Sequence, residues 1–230
     1  MTSRDQIPSD KEIQTFLQST DHFIYHTPLF KRFIKASFSY NYQFICSYEQ
    51  ERIVTLLPIV EIRSKIFGNR IISSPYQEYG GFCGDQIGIS EITKKIKKQY
   101  KNTVDFLEIK GSIISLQNPS NNICQDNNLQ RVTRYKRFIL PLRTTKEVWQ
   151  GIQKSKRKAI KKAQKVGTCR ELNIEDIDSF YKLYLENMRR FGSPPYNRKY
   201  FINFFKMIVD TGNGRIYGTF IQGKLVSALL

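Results

Sequence analysis

Apolar residues first recur at helical spacing at Leu29, Phe30, Phe33, Ile34 and Phe38. Thr27-Pro28 in front of them supplies an N-cap and a proline for the first helical position, so a helix is predicted to open there. Two runs rich in β-branched and aromatic residues follow, YQFICSYE and ERIVTLLPIVEIRS, meeting at the polar Glu49-Gln50-Glu51. That is the pattern of a hairpin. A short strand from Arg70 to Ser73 then runs into a loop punctuated by Pro75, Gly80, Gly81 and Gly84. Ile89, Ile92, Ile96 and Tyr100 predict another helix, and VDFLEIKG a short buried strand. Beyond a polar, Asn-rich loop from Gln117 to Asn128, LQRVTRYKRFILPL reads as one or two further strands.

In the last third, Trp149 to Val166 reads as one helix, with Trp149, Ile152, Ala159, Ile160, Ala163 and Val166 forming a thin apolar face. IEDIDSFYKLYLENMRRFG is a helix stopped by Gly192, NRKYFINFFKMIVDTG a second, and GRIYGTFIQGKLVSALL a hairpin. The whole is a mixed α/β pattern, an α+β mixed sheet with mostly adjacent strands, and not a doubly wound parallel sheet. The two halves share an order of helix then hairpin. The last apolar strand has no helix after it to cover it, so the second domain is expected to be incomplete.

Charge changes this picture locally. The chain of 230 residues has a net charge of +17. Fourteen Lys/Arg and two acids between Asp126 and Arg170 account for +12 of it. Trp149 to Val166 holds seven cations, Lys154, Lys156, Arg157, Lys158, Lys161, Lys162 and Lys165, with no carboxylate. A helix charged with one sign repels itself at each i,i+4 step, which favours an anion nearby. A solvated basic face is the plain alternative.

Composition narrows the rest. Cys46, Cys83, Cys124 and Cys169 are scattered without a C-x-x-C pair, and only His22 and His26 could join them, so a zinc site is not expected. The polar N-terminus lacks the apolar core of a secretory signal. No apolar run approaches the roughly 20 residues of a membrane helix. A cytoplasmic protein is expected, with a peripheral station on the inner face of the membrane as an option.

Three segments taken in order, RSKIFGNRIISSPYQEYGG, KSKRKAIKKAQKVG and FYKLYLENMRRFGSPPYNRKYF, are similar to the FemAB-like family. These are transferases built of two GNAT-type acyltransferase domains, and the nearest branch in sequence character is that of exopolysaccharide- and exosortase-associated proteins. The resemblance runs from about Asp21 onward. It implies a GNAT-like domain over 1–145, a basic connecting helix over 146–170, and the first half of a second GNAT-like domain over 171–230. It also implies N-acyl or aminoacyl transfer onto an amine of a cell-envelope or exopolysaccharide precursor, nucleotide- or lipid-linked. The donor would be an acyl thioester or an aminoacyl-tRNA, with no tightly bound cofactor. In this family the donor's pyrophosphate sits on a turn before a helix, where backbone N–H groups converge. In the second half that element would fall past Leu230, so the chain by itself is expected to be inactive.

The residues add candidates of their own. Tyr76, Gln77, Glu78 and Tyr79 precede Gly80-Gly81: two glycines admit close backbone approach, tyrosines stack on a base or sugar, and Glu78 could hold or deprotonate an amine. A plain turn is the competing account, and the resemblance tips the balance towards an acceptor loop. Arg189 and Arg190 end a helix, where the dipole alone favours cations, yet one could fork onto a carboxylate or phosphate, with Tyr196 framing the pocket wall. Lys154, Arg157, Lys158 and Lys161 are the anion-binding candidates. Arg63, Lys65 and Arg70 around Gly68 read as an exposed basic turn. TGNGR lies between helix and strand and is not a phosphate loop. Neither histidine has a triad partner, and no catalytic side chain is assigned.

Two further functions compete with transfer. One is a nucleic-acid-binding module, for RNA or tRNA, without catalysis; aromatic residues are not interleaved with the lysines, so base stacking is not expected. The other is a peripheral contact with anionic membrane through the basic helix, shallow because its apolar face is thin.

Overall fold

The computed structural model describes residues 7–66, 68–77, 79–111, 124–125, 127–133 and 140–230. The chain divides into two compact units, 1–132 and 133–230.

In the first unit, α1 (Asp10–Leu17) is opened by a capping box between Ser9 and Glu12, and α2 (Pro28–Phe38) by the Thr27 hydroxyl accepting from the Phe30 N–H. β1 (Tyr42–Glu49) and β2 (Arg52–Ile62) pair antiparallel, with Tyr42 opposite Val60. Their turn holds Gln50 and Glu51 at φ 46° and 65°, the left-handed pair that matches the twist of a two-residue hairpin. The other edge of β2 takes β3 (Arg70–Ile72) and β4 (Cys83–Gly84), both antiparallel. After α3 (Ile89–Tyr100), β5 (Phe106–Glu108) returns parallel to β3. Ile89, Ile92, Ile96 and Tyr100 of α3 bury one sheet face with Leu57, Ile59, Ile71 and Phe82. On alternate positions of β1, Tyr42 meets the Phe30 ring of α2 at 6.0 Å, so helices cover both faces.

Three expectations are corrected here. VDFLEIKG is not a buried strand: β5 is the edge strand among the described residues, with Phe106 44% exposed. The strands expected over 129–142 are a separate case, since positions 134–139 of that run lie outside the described residues. Trp149 to Val166 is two helices, α4 (Thr145–Gly151) and α5 (Lys154–Ala163), parted at Ile152 with φ −72° and ψ 133°. The break is built in: α4 opens on a Thr144–Glu147 capping box, and the Arg157 guanidinium donates to its last carbonyls, Trp149 O at 3.2 Å and Gln150 O at 3.0 Å. The thin apolar face expected to dock is likewise left uncovered, since among the described residues α5 buries none.

The second unit continues with β6 (Thr168–Glu171), α6 (Ile177–Phe191), α7 (Arg198–Phe204) with a wider turn over Phe205–Val209, and the hairpin β7 (Tyr217–Ile221) and β8 (Lys224–Leu229). These strands form an antiparallel sheet in the order β6-β7-β8. Gly192, at φ 63°, ends α6 as expected, with the Ser193 N–H reaching Met188 O at 3.1 Å. Ile177, Phe180, Phe201, Phe205 and Ile208 of the helices pack with Leu172 and Ile216 into its core. The sheet-and-helix layering is the mixed α/β, GNAT-like class expected.

Candidate functional site

The loop after β3 leaves the carboxyl ends of the parallel pair β3/β5, the position where parallel sheets most often carry ligands. Backbone and side chains tie it down at every turn. The Ser73 N–H donates to Glu108 O at 3.0 Å, and the Lys110 N–H to Ser73 Oγ at 2.8 Å. Lys110 Nζ donates to the Gln77 carbonyl. Ser74, buried at φ 44°, donates its hydroxyl to Gly80 O at 3.0 Å. Gly80 sits at φ 115°, and a Cβ there would lie 2.1 Å from Ser74 Oγ; a Cβ on Gly81 would lie 2.1 Å from the Lys110 carbonyl oxygen. Only glycine closes this loop.

His26 is the far anchor. The Phe23 N–H donates to its Nδ1 at 3.1 Å, so the ring proton stands on Nε2 and donates to Gly81 O at 3.0 Å. Burial pushes its pKa from 6.5 down to about 4. With both ring nitrogens committed to backbone, His26 holds the loop and has no lone pair for catalysis.

Against that frame of hydrogen bonds stands Tyr76, in the left-handed region at φ 65° and 37% exposed. Its ring stacks on Phe38 at 4.4 Å, and its hydroxyl meets that of Tyr40 at 2.9 Å. Tyr79 turns the other way, 5.9 Å from the Phe23 ring. Tyr76, Gln77, Tyr79 and Gly80 thus share one braced loop, while Glu78 lies outside the described residues. The outcome is a rigid aromatic step with a phenol at its edge, suited to the flat face of a sugar or base.

In the second unit, Arg189 and Arg190 are exposed at the end of α6. Neither guanidinium has a hydrogen bond or ion pair among the described residues. Tyr196 follows on a loop pinned to α6: the Tyr184 hydroxyl accepts from the Tyr196 N–H at 2.8 Å, and the Tyr181 hydroxyl donates to its carbonyl at 3.1 Å. Burial, then the neighbouring Tyr184, raises the Tyr196 phenol above its usual pKa.

Lys154, Lys158 and Lys161 are exposed on α5, and none is paired among the described residues. Arg157 differs, because its guanidinium caps α4. An open recess of about 650 Å³ lies beside the end of α5, lined in part by Lys165, Arg170, Phe220 and Gln222. Arg170, not singled out from sequence, forks onto Asp176 at 2.7 and 2.6 Å and lies over the Phe220 ring at 4.3 Å. The ion pair holds the Asp176 carboxyl below its usual pKa. Its only trace in sequence is an Arg six residues before an Asp. Of the basic turn near Gly68, Arg63 pairs with Glu61 at 2.8 Å and Arg70 lies over Phe106, both structural uses.

No protein-family model matches the sequence, and no curated protein matches it. Among solved structures the chain is similar in fold to one titled "Crystal structure of FemX", with a TM-score of 0.55 and 12% identity. The match covers 93% of this chain and 57% of that one, so the chain spans little more than half the neighbour's length. At that identity the likeness is one of fold. Among the described residues no helix is long and apolar enough to cross a membrane, and no cluster of His, Cys, Asp or Glu could hold a metal.

Proposed function

We propose that this chain serves N-acyl or aminoacyl transfer of the FemAB type, with the loop Ser73–Gly81 receiving a peptidoglycan or exopolysaccharide precursor. The observation that carries the reading is the likeness to FemX over 93% of the chain. A loop braced by Ser73, Ser74, Lys110 and His26 and carrying a strained, exposed Tyr76 supports it, since backbone strain of about 1–3 kcal/mol collects where ligands are held.

In such a transfer the acceptor amine attacks the carbonyl of an aminoacyl ester or acyl thioester. The new C–N bond forms as the C–O or C–S bond to the donor breaks, the amine loses a proton, and the oxygen or sulfur leaves on the tRNA or thiol. Catalysis of this kind comes mostly from positioning. The chain's share is a fixed platform with Tyr76 under the sugar or base; Glu78, next but one in sequence, is the carboxylate assigned to the amine. Arg189 and Arg190 offer unpaired forks for a phosphate or carboxylate, with Tyr196 on the loop that follows them.

The test is calorimetric titration of the chain with a nucleotide-linked muropeptide. Binding that falls at least tenfold in Tyr76→Ala, with the melting temperature held within a few degrees, supports the reading. No binding, or binding indifferent to Tyr76, Glu78 and Arg189 substitutions, rejects it.

A further inference from the structure

The lysines of α5 are left over from the site just described, and they are not alone. Leu140 and Leu142, a few residues upstream of α4, are 66% and 82% exposed, and Ile160 and Val166 are 37% and 60% exposed. From 140 to 166 the chain carries nine Lys/Arg and one acid. That acid, Glu147, reaches none of the lysines of α5: its carboxylate accepts from the Thr144 N–H at 3.0 Å and hydroxyl at 2.7 Å and pairs with Arg143 at 4.0 Å. Of the cations on α5 itself, only Arg157 has a partner among the described residues.

At 100° per residue, Lys154, Lys158, Lys161 and Lys162 fall within about 100° of arc. Ala159, Ala163 and Ile160 form the opposing stripe, with Lys162 along one border and Arg157 along the other. Lys156 lies within the stripe. Cations bordering exposed aliphatic side chains can lay their stems along hydrocarbon while their ammonium heads stay among anions.

From this juxtaposition we infer that residues 140–166 form a surface that docks on an anionic phospholipid bilayer. A bilayer supplies phosphates and hydrocarbon within one layer, and this segment presents the complement of both. A nucleic-acid strand would satisfy the cations alone. It would leave the leucines and Ile160 in water, and α5 has no aromatic ring on which a base could stack. The contact is shallow, because a ten-residue helix with one large aliphatic residue cannot seat deeply. The inference does not depend on the transferase reading.

The experiment is co-sedimentation of the full chain with vesicles of phosphatidylcholine, plain or containing one-third phosphatidylglycerol. Trp149, the one tryptophan, reports from inside the segment by its emission shift. With cations near a charged membrane each contributing roughly 1 kcal/mol, the triple change Lys158→Gln, Lys161→Gln, Lys162→Gln lowers partitioning about a hundredfold. The pair Leu142→Ser and Ile160→Ser lowers it several-fold at unchanged charge. Circular dichroism confirms that the variants are folded. On the unaltered chain, anionic vesicles slow tryptic cleavage at Lys154–Lys165. Equal binding to neutral vesicles, no binding, indifference to either set of changes, or preference for RNA over vesicles at equal phosphate overturns the inference.

Discussion

His26 offers the sharpest physical test of the candidate loop. Its imidazole bridges the Phe23 N–H and the Gly81 carbonyl, and burial sets its pKa at about 4 against an ordinary 6.5. The folded state therefore resists a proton that the unfolded chain accepts. Above pH 6.5 the stabilisation from neutral His26 is complete. It declines as pH falls from 6.5, and by pH 4 the loss amounts to roughly 3 kcal/mol at 1.36 kcal/mol per tenfold change in proton binding. The loss is felt first at the Gly81 end of the loop, because a protonated ring has no acceptor for the Phe23 N–H. The assay is imidazole NMR on a His22→Asn chain, in which His26 is the sole histidine. Its nitrogen shifts should report the Nε2–H tautomer, and its titration should stay flat through pH 6. Urea melts of this chain and its His26→Gln derivative at pH 7 and pH 5 then give the linked stability. An Nδ1–H tautomer, a midpoint near 6.5, or the same pH slope with and without His26 would refute the reasoning.

Further outcomes follow from the same geometry. Gly81→Ala places a Cβ 2.1 Å from the Lys110 backbone oxygen and should lower stability by about 1–3 kcal/mol, whereas Gly151→Ala, with open space around it, should be neutral or slightly stabilising in thermal melts. Tyr184→Phe removes the acceptor of the Tyr196 N–H and should lower stability by about 1 kcal/mol in the same melts. Arg157→Gln uncaps α4 and should reduce helical ellipticity, while Lys158→Gln at the neighbouring position should not.

The elements legible in sequence were those whose signals are local. The helix at Pro28 was announced by Thr27, the end of α6 by Gly192, and the hairpins by apolar alternation around two-residue turns. β6 was not anticipated: Thr-Cys-Arg-Glu is short and polar, and it becomes a strand only through Tyr217–Phe220, far along the chain. The split of the basic helix hid for another reason. Helical periodicity continues through Ile152, and the deciding bond comes from Arg157, which looked like one more cation of the run.

The candidate loop divides in the same way. Its glycines and tyrosines marked it as a place of close approach, and Gly80 is indeed left-handed. What braces it could not be foreseen, since Lys110 lies 37 residues from Ser73 and His26 lies 55 from Gly81. A lone histidine with no catalytic partner is a weak signal of any role, and only burial and two backbone bonds reveal this one. Conversely, the sequence offers Tyr196 as a pocket wall, and its backbone is held by two tyrosine hydroxyls of α6.

The most direct test of the central claim is saturation-transfer NMR between the chain and a nucleotide-linked muropeptide. The account predicts transfer from protein to the sugar or base protons of the ligand. It also predicts that Tyr76→Ala abolishes this transfer, while the Lys158, Lys161 and Lys162 substitutions preserve it. Transfer that survives Tyr76→Ala, or that vanishes with the lysines instead, would contradict it.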